Sequence, residues 1–490
     1  MRPLYATWRR GSRRTISLRG IICQPSANSY SRVVIVSVSF ILRRTAVLVA
    51  LLSAVLLPPV TAAQPAAAAP DRYTLIHAGT LLAVPGTGPL REMTVVVKND
   101  RVAAVEKGYV TAVASAGPDA EVRVIDLSDR FVLPGLMDAH VHLQHEPSFS
   151  RRRTERGDRT PPTSAEGAVN AMIYARRNLA AGFTTLRDVG SDDQAVFAVR
   201  NAINAGRMIG PRILVSGSAV AVTGGHGDGT PMDQTGDDVA RLSNATCDGP
   251  MECRKAVRYQ YKLGADVIKF TSTGGFGSNT GLEPQLFVDE IQAIVSTAHL
   301  VGLKAAAHAY SPVAIKDAVR AGVDSIEHGF LLDDEGIAMM KKAGTFLVPT
   351  LSASYPPPIF RIPDPESVKL RNEYRAFERA YAAGVKIAFG TDAGTFAHGT
   401  NAKEFDLMVG FGMQPMDAIR SATVVTAELF GISADAGALE AGKLADVIAV
   451  KGNPLEDISA LHYIDFVMKS GRVAKQGGQM TEPFTYPAAF

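Results

Sequence analysis

Two histidines stand two residues apart in the stretch Phe131-Val-Leu-Pro-Gly-Leu-Met-Asp-Ala-His-Val-His-Leu143. Val132, Leu133, Leu136 and Met137 have the character of a buried strand entered through Pro134-Gly135. Side chains on a strand alternate faces, so His140 and His142 point the same way. Two converging imidazoles are half of a metal site, because imidazole ligates zinc and other borderline transition metals. Taken alone, a His-x-His is better explained by one buried, hydrogen-bonded ring and one exposed ring. The choice depends on what the rest of the chain places beside it.

Between residues 134 and 432, short apolar runs alternate with helical stretches. The runs are Thr184-Thr-Leu-Arg, Arg212-Ile-Leu-Val, Val267-Ile-Lys-Phe, Lys304-Ala-Ala-Ala-His, Ser325-Ile-Glu-His, Phe346-Leu-Val-Pro and Lys386-Ile-Ala-Phe-Gly. Helical stretches include Ala168 to Ala181, preceded by the capping-box pattern Thr163-Ser-Ala-Glu166, and Glu290 to His299. With the opening strand there are eight runs, a count and length that predict an α/β fold, a (β/α)8 TIM barrel. Residues 73–133 and 433–490 have a different texture, short β-type runs separated by Gly and Asn-Asp turns. They predict one small β-sandwich domain built from both chain ends.

Barrel enzymes place their chemistry at the C-terminal ends of the strands. Here those ends hold Asp138, His140 and His142, Asp188, Lys269, His308, His328 and Asp392. Singly, each has an ordinary explanation. Lys269 lies in the apolar run Ala265-Asp-Val-Ile-Lys-Phe, where an ammonium needs a buried carboxylate or an escape to the rim. His308 and His328 fit core or rim histidines, and Asp392 fits a helix cap. Their joint occurrence on one rim is what those explanations do not supply. It also opens another option for Lys269: a neutral lysine adds carbon dioxide to give a carbamate, an anionic group able to bridge two metals.

The segments Pro-Gly-Leu-Met-Asp-Ala-His-Val-His, Val-Ile-Lys, Ala-His-Ala-Tyr, Ser-Ile-Glu-His-Gly and Gly-Thr-Asp-Ala together resemble the amidohydrolase superfamily. The nearest branch is the imidazolonepropionase-like group that includes metal-dependent prolidases, Xaa-Arg/Lys carboxypeptidases and ochratoxin-hydrolysing amidohydrolases. The resemblance runs from about residue 72 to 475 and implies a binuclear site holding two divalent ions, zinc first among the candidates. It makes His140, His142 and Asp392 ligands of the more buried metal and His308 and His328 ligands of the second. Lys269, as the carbamate, would bridge both.

The physical logic agrees with that assignment. Two cations roughly 3.5–4 Å apart share a hydroxide and polarise a carbonyl, and zinc brings the pKa of its water to about 7. Asp392 would take the proton of that hydroxide and deliver it to the leaving amine. The resemblance also implies Tyr310 as an oxyanion donor and His226, in Thr223-Gly-Gly-His-Gly-Asp, as a substrate contact, against a solvated loop histidine. Arg187 pairs with a substrate carboxylate or merely with Asp188; Thr273-Gly-Gly275 offers backbone N–H groups. His145, His398 and His462 receive no role.

The activity implied is cleavage of the amide bond of dipeptides or N-acyl amino acids. A cyclic-amide or ester hydrolase on the same metals is the alternative. A binding protein without catalysis would not need six intact ligands. Leaving-residue preference rests with loops 143–166, 221–250 and 352–370. Relatives on this branch are often homo-oligomers.

Composition limits the partners. The net charge of +3 is carried by nine arginines among residues 1–63, which hold no Asp or Glu; without them the body carries −6. An acidic body gives no support for nucleic-acid binding. Arg43-Arg44, the apolar run Thr45 to Leu57 and the small residues Val60-Thr-Ala-Ala63 predict an export signal over residues 1–63, followed by a disordered lead over 64–72. The expected location is periplasmic or secreted. A second apolar run, Val33 to Leu42, leaves a retained membrane anchor as the alternative. In an oxidising compartment Cys247 and Cys253, six apart, are expected to pair.

Overall fold

A computed structural model describes residues 70–146, 152–153, 159–160, 163–228, 244–275, 281–353 and 375–481. The expected export signal, the anchor alternative, most of the lead and much of the three loops named above lie outside the described residues. Among the described residues no helix is long and apolar enough to cross a membrane.

Strands from the two chain ends share one sheet. β1 (Arg72–Leu81), β2 (Leu90–Lys98), β3 (Arg101–Lys107) and β4 (Glu121–Pro134) come from the first segment. The last segment supplies Val447–Val450, Ile464–Lys469, Arg472–Gln476 and Gln479–Met480. The two sets join where Val447–Val450 runs antiparallel to β4, with Ile448 opposite Leu133 and Ala449 opposite Val132. β1 lies between β2 and β4. It packs apolar side chains on both faces: Ile76 and Ala78 on one, Tyr73 and Leu75 on the other. A strand covered on both sides reads as a near-continuous apolar run.

Gly135 turns the end of β4 directly into the barrel. There β5 (Leu136–Val141) is followed by a two-residue ribbon, β6 (Arg152–Arg153) with β7 (Arg159–Thr160). Then come β8 (Phe183–Asp188), β9 (Arg212–Val215), β10 (Val267–Thr271), β11 (Lys304–Ala309), β12 (Ser325–His328) and β13 (Phe346–Val348). β5-β8-β9 and β10-β11-β12-β13 form two parallel sheets. Short seams close them into a ring. Asp266 N–H donates to the Val215 carbonyl at 2.8 Å, and Val220 N–H to that of Lys269 at 2.8 Å. On the other side residues 386–393 serve as the eighth strand. Ala388 N–H donates to Leu347 (2.9 Å), Ala139 N–H to Phe389 (2.8 Å), Asp392 N–H to His140 (2.7 Å) and His142 N–H to Ala393 (2.8 Å). The eighth run is thus bonded to neighbours on both sides without forming a continuous ladder of its own.

Helices cover the ring. α1 (Ser164–Ala180) starts on the capping box, Thr163 accepting from Glu166 N–H while the Glu166 side chain accepts from Thr163 N–H. It begins four residues before the apolar periodicity does, because the cap and not the first apolar residue sets a helix start. After the eighth strand, α2 (Lys403–Gly410) sends Glu404 beneath the barrel rim. Cys247 and Cys253 are joined by a disulfide with Cα atoms 4.9 Å apart, at the head of the helix Pro250–Leu263.

Candidate metal centre

The rim residues converge. His140, in β5, and His142, one residue past its end, have ring centres 5.3 Å apart; His140 and His328 are 4.9 Å apart, and His308 and His328 4.6 Å. Asp392 Oδ1 lies 3.1 Å from His142 Nε2 and 3.6 Å from His140 Nε2. Donor atoms of His140, His328 and Asp392 all fall within 4.8 Å of one another. Lys269, on β10, is buried within electrostatic reach of His140, His142, His308, His328 and Asp392.

Backbone strain is part of this convergence. His328 and Asp392 both have left-handed backbone, φ 71° and 62°. Conformations of that kind cost of order 1–3 kcal/mol and persist only where the surroundings enforce them. At His328 the reason is geometric. Alternation along β12 sends Glu327 and His328 to opposite faces, yet both reach the ring of His140. The left-handed turn lets His328 join the rim.

Second partners fix the orientation of each imidazole. His140 Nδ1 meets Glu327 Oε2 at 2.7 Å, His142 Nδ1 meets the Gly190 carbonyl at 2.6 Å, and His328 Nδ1 meets Thr350 Oγ1 at 2.7 Å. In these three the Nε2 atom is left for a ligand. His308 is reversed: its Nε2 is held by the Gly274 carbonyl at 3.0 Å, leaving Nδ1. Metal-bound histidines carry such outer partners almost without exception.

The electrostatics match the chemistry of a cation site. Burial, reinforced by neighbouring cationic groups, holds His140, His308 and His328 well below the usual histidine pKa. They are therefore neutral, as ligation requires. For His142, burial pulls downward, but the hydrogen bond and charge of Asp392 outweigh it and the pKa rises. Burial brings Lys269 down to about 8, against the pull of Glu327 and Asp392. Asp392 Oδ1 is buried, and its nearest protein partner is His142 Nε2 at 3.1 Å. A buried carboxylate oxygen beside the Nε2 atoms of His140 and His142 is a donor set that fits a divalent cation.

Tyr310 and His226 pack against the rings of this cluster. Tyr310 stacks on His328 (5.1 Å, 9°) and His226 on His308 (4.3 Å, 29°). Burial lowers the His226 pKa to about 4, and its Nδ1 has no protein hydrogen bond. Gly275 permits the approach: a Cβ there would lie 2.6 Å from His226 Cε1. Within Thr273-Gly-Gly275, the carbonyl of Gly274 holds His308.

Arg187 departs from expectation. Its partner is neither Asp188 nor a position open to substrate. Nη2 donates to Glu327 Oε1 at 2.8 Å, Nε to the Ala139 carbonyl at 2.7 Å and Nη1 to Ser325 Oγ at 3.3 Å, with the side chain 2% exposed. Arg187 points into the barrel because a guanidinium this deep needs a carboxylate, and β12 offers one. Asp188 instead accepts from Leu143 N–H (2.7 Å) and Ser191 Oγ (2.8 Å), clamping the chain just past His142.

Four further residues near the cluster carry no role assigned from the sequence. Glu327 stands next to the assigned His328, on the face that alternation turns away from it. Asp138, in β5, accepts from His140 N–H (3.0 Å), Thr391 Oγ1 (2.7 Å) and Asn401 Nδ2 (2.8 Å). Asn401 sits in a loop that carries no periodic signal. His398, also without a role, stacks on Tyr174 at 4.7 Å, and its Nε2 lies 3.0 Å from the His145 carbonyl.

Comparison with known proteins agrees with this geometry. The profile of the amidohydrolase family matches residues 131–474. An ochratoxinase from Aspergillus niger is 32% identical over 437 residues, 83% of this chain and 88% of that protein. A crystal structure of a Xaa-Pro dipeptidase with methionine in its active site superposes with a TM-score of 0.72 at 38% identity, covering 82% of this chain and all of that one. A prolidase complexed with N-methylphosphonate-L-proline gives 0.69 at 30% identity, with 82% and 100% covered. The extent of these matches and the ring of strand-end donors lead to one conclusion: the chain belongs to the amidohydrolase family and is a metal-dependent hydrolase of amide carbon–nitrogen bonds.

Proposed function

We propose that this hydrolase is an exported, binuclear enzyme that cleaves dipeptides or N-acyl amino acids at the amide bond next to a C-terminal carboxylate. The observation that carries the reading is the gathering of four imidazoles, Lys269 and Asp392 from five strands into one buried cluster. His140, His142 and Asp392 would hold one cation, His308 and His328 the second, and Lys269, as a carbamate, would join them. At a pKa of about 8, about a tenth of the Lys269 amine is neutral at pH 7, the form that takes up carbon dioxide. Bound divalent ions supply an acidified water and a polarised carbonyl.

The chain's own residues do the rest. Asp392 accepts the proton of the attacking water as its oxygen bonds to the carbonyl carbon, then returns that proton to the amide nitrogen as the carbon–nitrogen bond breaks. Tyr310 donates a hydrogen bond to the carbonyl oxygen as charge builds there. His226, opposite Tyr310 across His308, orients the substrate. The names of the related proteins, a Xaa-Pro dipeptidase, a prolidase and an ochratoxinase, support the choice of an amide flanked by an amino acid. Export is supported by the basic and apolar leader and by the buried Cys247–Cys253 disulfide.

A panel of dipeptides and N-acyl amino acids, run on metal-reconstituted protein beside lactams and phosphotriesters, tests the reading. Turnover of the first group, abolished in Lys269→Ala, is expected. Turnover confined to lactams or esters would overturn the substrate class, and full activity in Lys269→Ala would overturn the bridged pair of metals.

A further inference from the structure

Beneath His140 lies an ion pair that the hydrolytic steps do not use. Arg187 and Glu327 are 2% and 0% exposed and 2.8 Å apart. Such a pair is costly to bury and gives little net stability over apolar residues of the same size. Its connections suggest what it does in this fold. Glu327 Oε1 receives Arg187 Nη2 and Ser325 Oγ (2.5 Å), while Oε2 is left for His140 Nδ1 at 2.7 Å. The same guanidinium binds the carbonyl of Ala139 through Nε. One cation therefore holds both the backbone beside His140 and the carboxylate that holds its ring.

We propose that Glu327, anchored by Arg187, is the positioning residue that selects which nitrogen of His140 ligates metal. This rests on the metal reading of the site. With Oε2 as an acceptor, the imidazole proton stays on Nδ1 and Nε2 presents its lone pair towards the donor atoms of Asp392 and His328. His142 and His328 take their orientation from a backbone carbonyl and a hydroxyl. Of these three, only the His140 anchor is a carboxylate, and Arg187 and Ser325 already occupy its other oxygen. An amide in its place reverses the logic. A glutamine that keeps its oxygen towards Arg187 turns its NH2 to Nδ1, drives the proton to Nε2 and removes the ligand.

The test is metal retention, read independently of turnover. Wild type, Glu327→Gln and Ser325→Ala are dialysed against graded chelator, metal per chain is counted, and the cobalt-substituted forms are compared by absorption spectroscopy. Glu327→Gln is expected to hold metal about 10–100-fold more weakly and to shift the cobalt spectrum. Ser325→Ala leaves Oε2 on His140 and should keep both near wild type. If Glu327→Gln does not fold, Arg187→Met/Glu327→Met leaves no unpaired charge and should show the same loss. Wild-type metal affinity with an unchanged spectrum in either variant overturns the proposal, as does an equal loss in Ser325→Ala. A wild-type chain that holds no metal would overturn the metal reading itself. Metal binding without dipeptide turnover would touch only the substrate class.

Discussion

Asp138 and Thr391, 253 residues apart, are bonded twice: Thr391 Oγ1 donates to Asp138 Oδ2 at 2.7 Å and Thr391 N–H donates to Oδ1 at 3.2 Å. Asp138 also accepts from the backbone of His140. One carboxylate thus sews the first barrel strand to the eighth, immediately before Asp392. Thr391→Val leaves a buried acceptor short of one donor, a loss of about 1–3 kcal/mol. The expected result is a lowered thermal midpoint and a fall in kcat larger than any change in KM, because Asp392 is displaced while the substrate walls remain. Steady-state kinetics and calorimetry on the same preparation check both.

Tyr310 faces the cluster from beside His308 and His328. If its hydroxyl meets charge only as the carbonyl oxygen becomes anionic, Tyr310→Phe lowers kcat by about 10²-fold and leaves KM nearly unchanged. An equal effect on KM would assign Tyr310 to ground-state binding.

The carbamate proposed at Lys269 requires carbon dioxide to form. Metal-free enzyme reconstituted in carbon-dioxide-depleted buffer should recover activity slowly, and added bicarbonate should restore the full rate. Recovery indifferent to bicarbonate would leave Lys269 a plain amine.

Glu404 gives stability a pH dependence. Burial pushes its carboxyl up to about 8, although Leu351 N–H and Ser352 N–H and Oγ all donate to it. A folded pKa above the unfolded value of 4.5 means that the folded state binds more protons. This contribution is fully present below pH 4.5 and is lost as pH rises through 8. Glu404→Gln should flatten that fall, seen as a smaller drop in urea midpoint between pH 5 and pH 9 than in wild type.

The disulfide holds the base of the His226 loop. Cys247 N–H donates to the Ala221 carbonyl, and Ala221 N–H to that of Ala245. Closing a loop this short adds about 2 kcal/mol, so Cys247→Ser/Cys253→Ser should melt lower. KM should rise through the loosened His226, while metal content stays that of wild type.

Much of this molecule is determined by residue order alone. The strand count follows from apolar runs and the helix start at Ser164 from Thr163 and Glu166. The family follows from segments in which ligand and neighbours are contiguous, such as Asp138-Ala-His-Val-His142. Those features are local, fixed by period and capping within a few residues. What tertiary structure decided is partnership across the ring. Arg187 chose Glu327 and not its neighbour Asp188, because a buried guanidinium is satisfied by whichever carboxylate the closed barrel brings opposite it. Glu327 and His328 share one side only because the backbone at His328 turns left-handed, which strand periodicity cannot foretell. Asp138 found Thr391 and Asn401 once the eighth run docked beside the first. Chain order names the donors, but closure of the barrel decides which atoms they face.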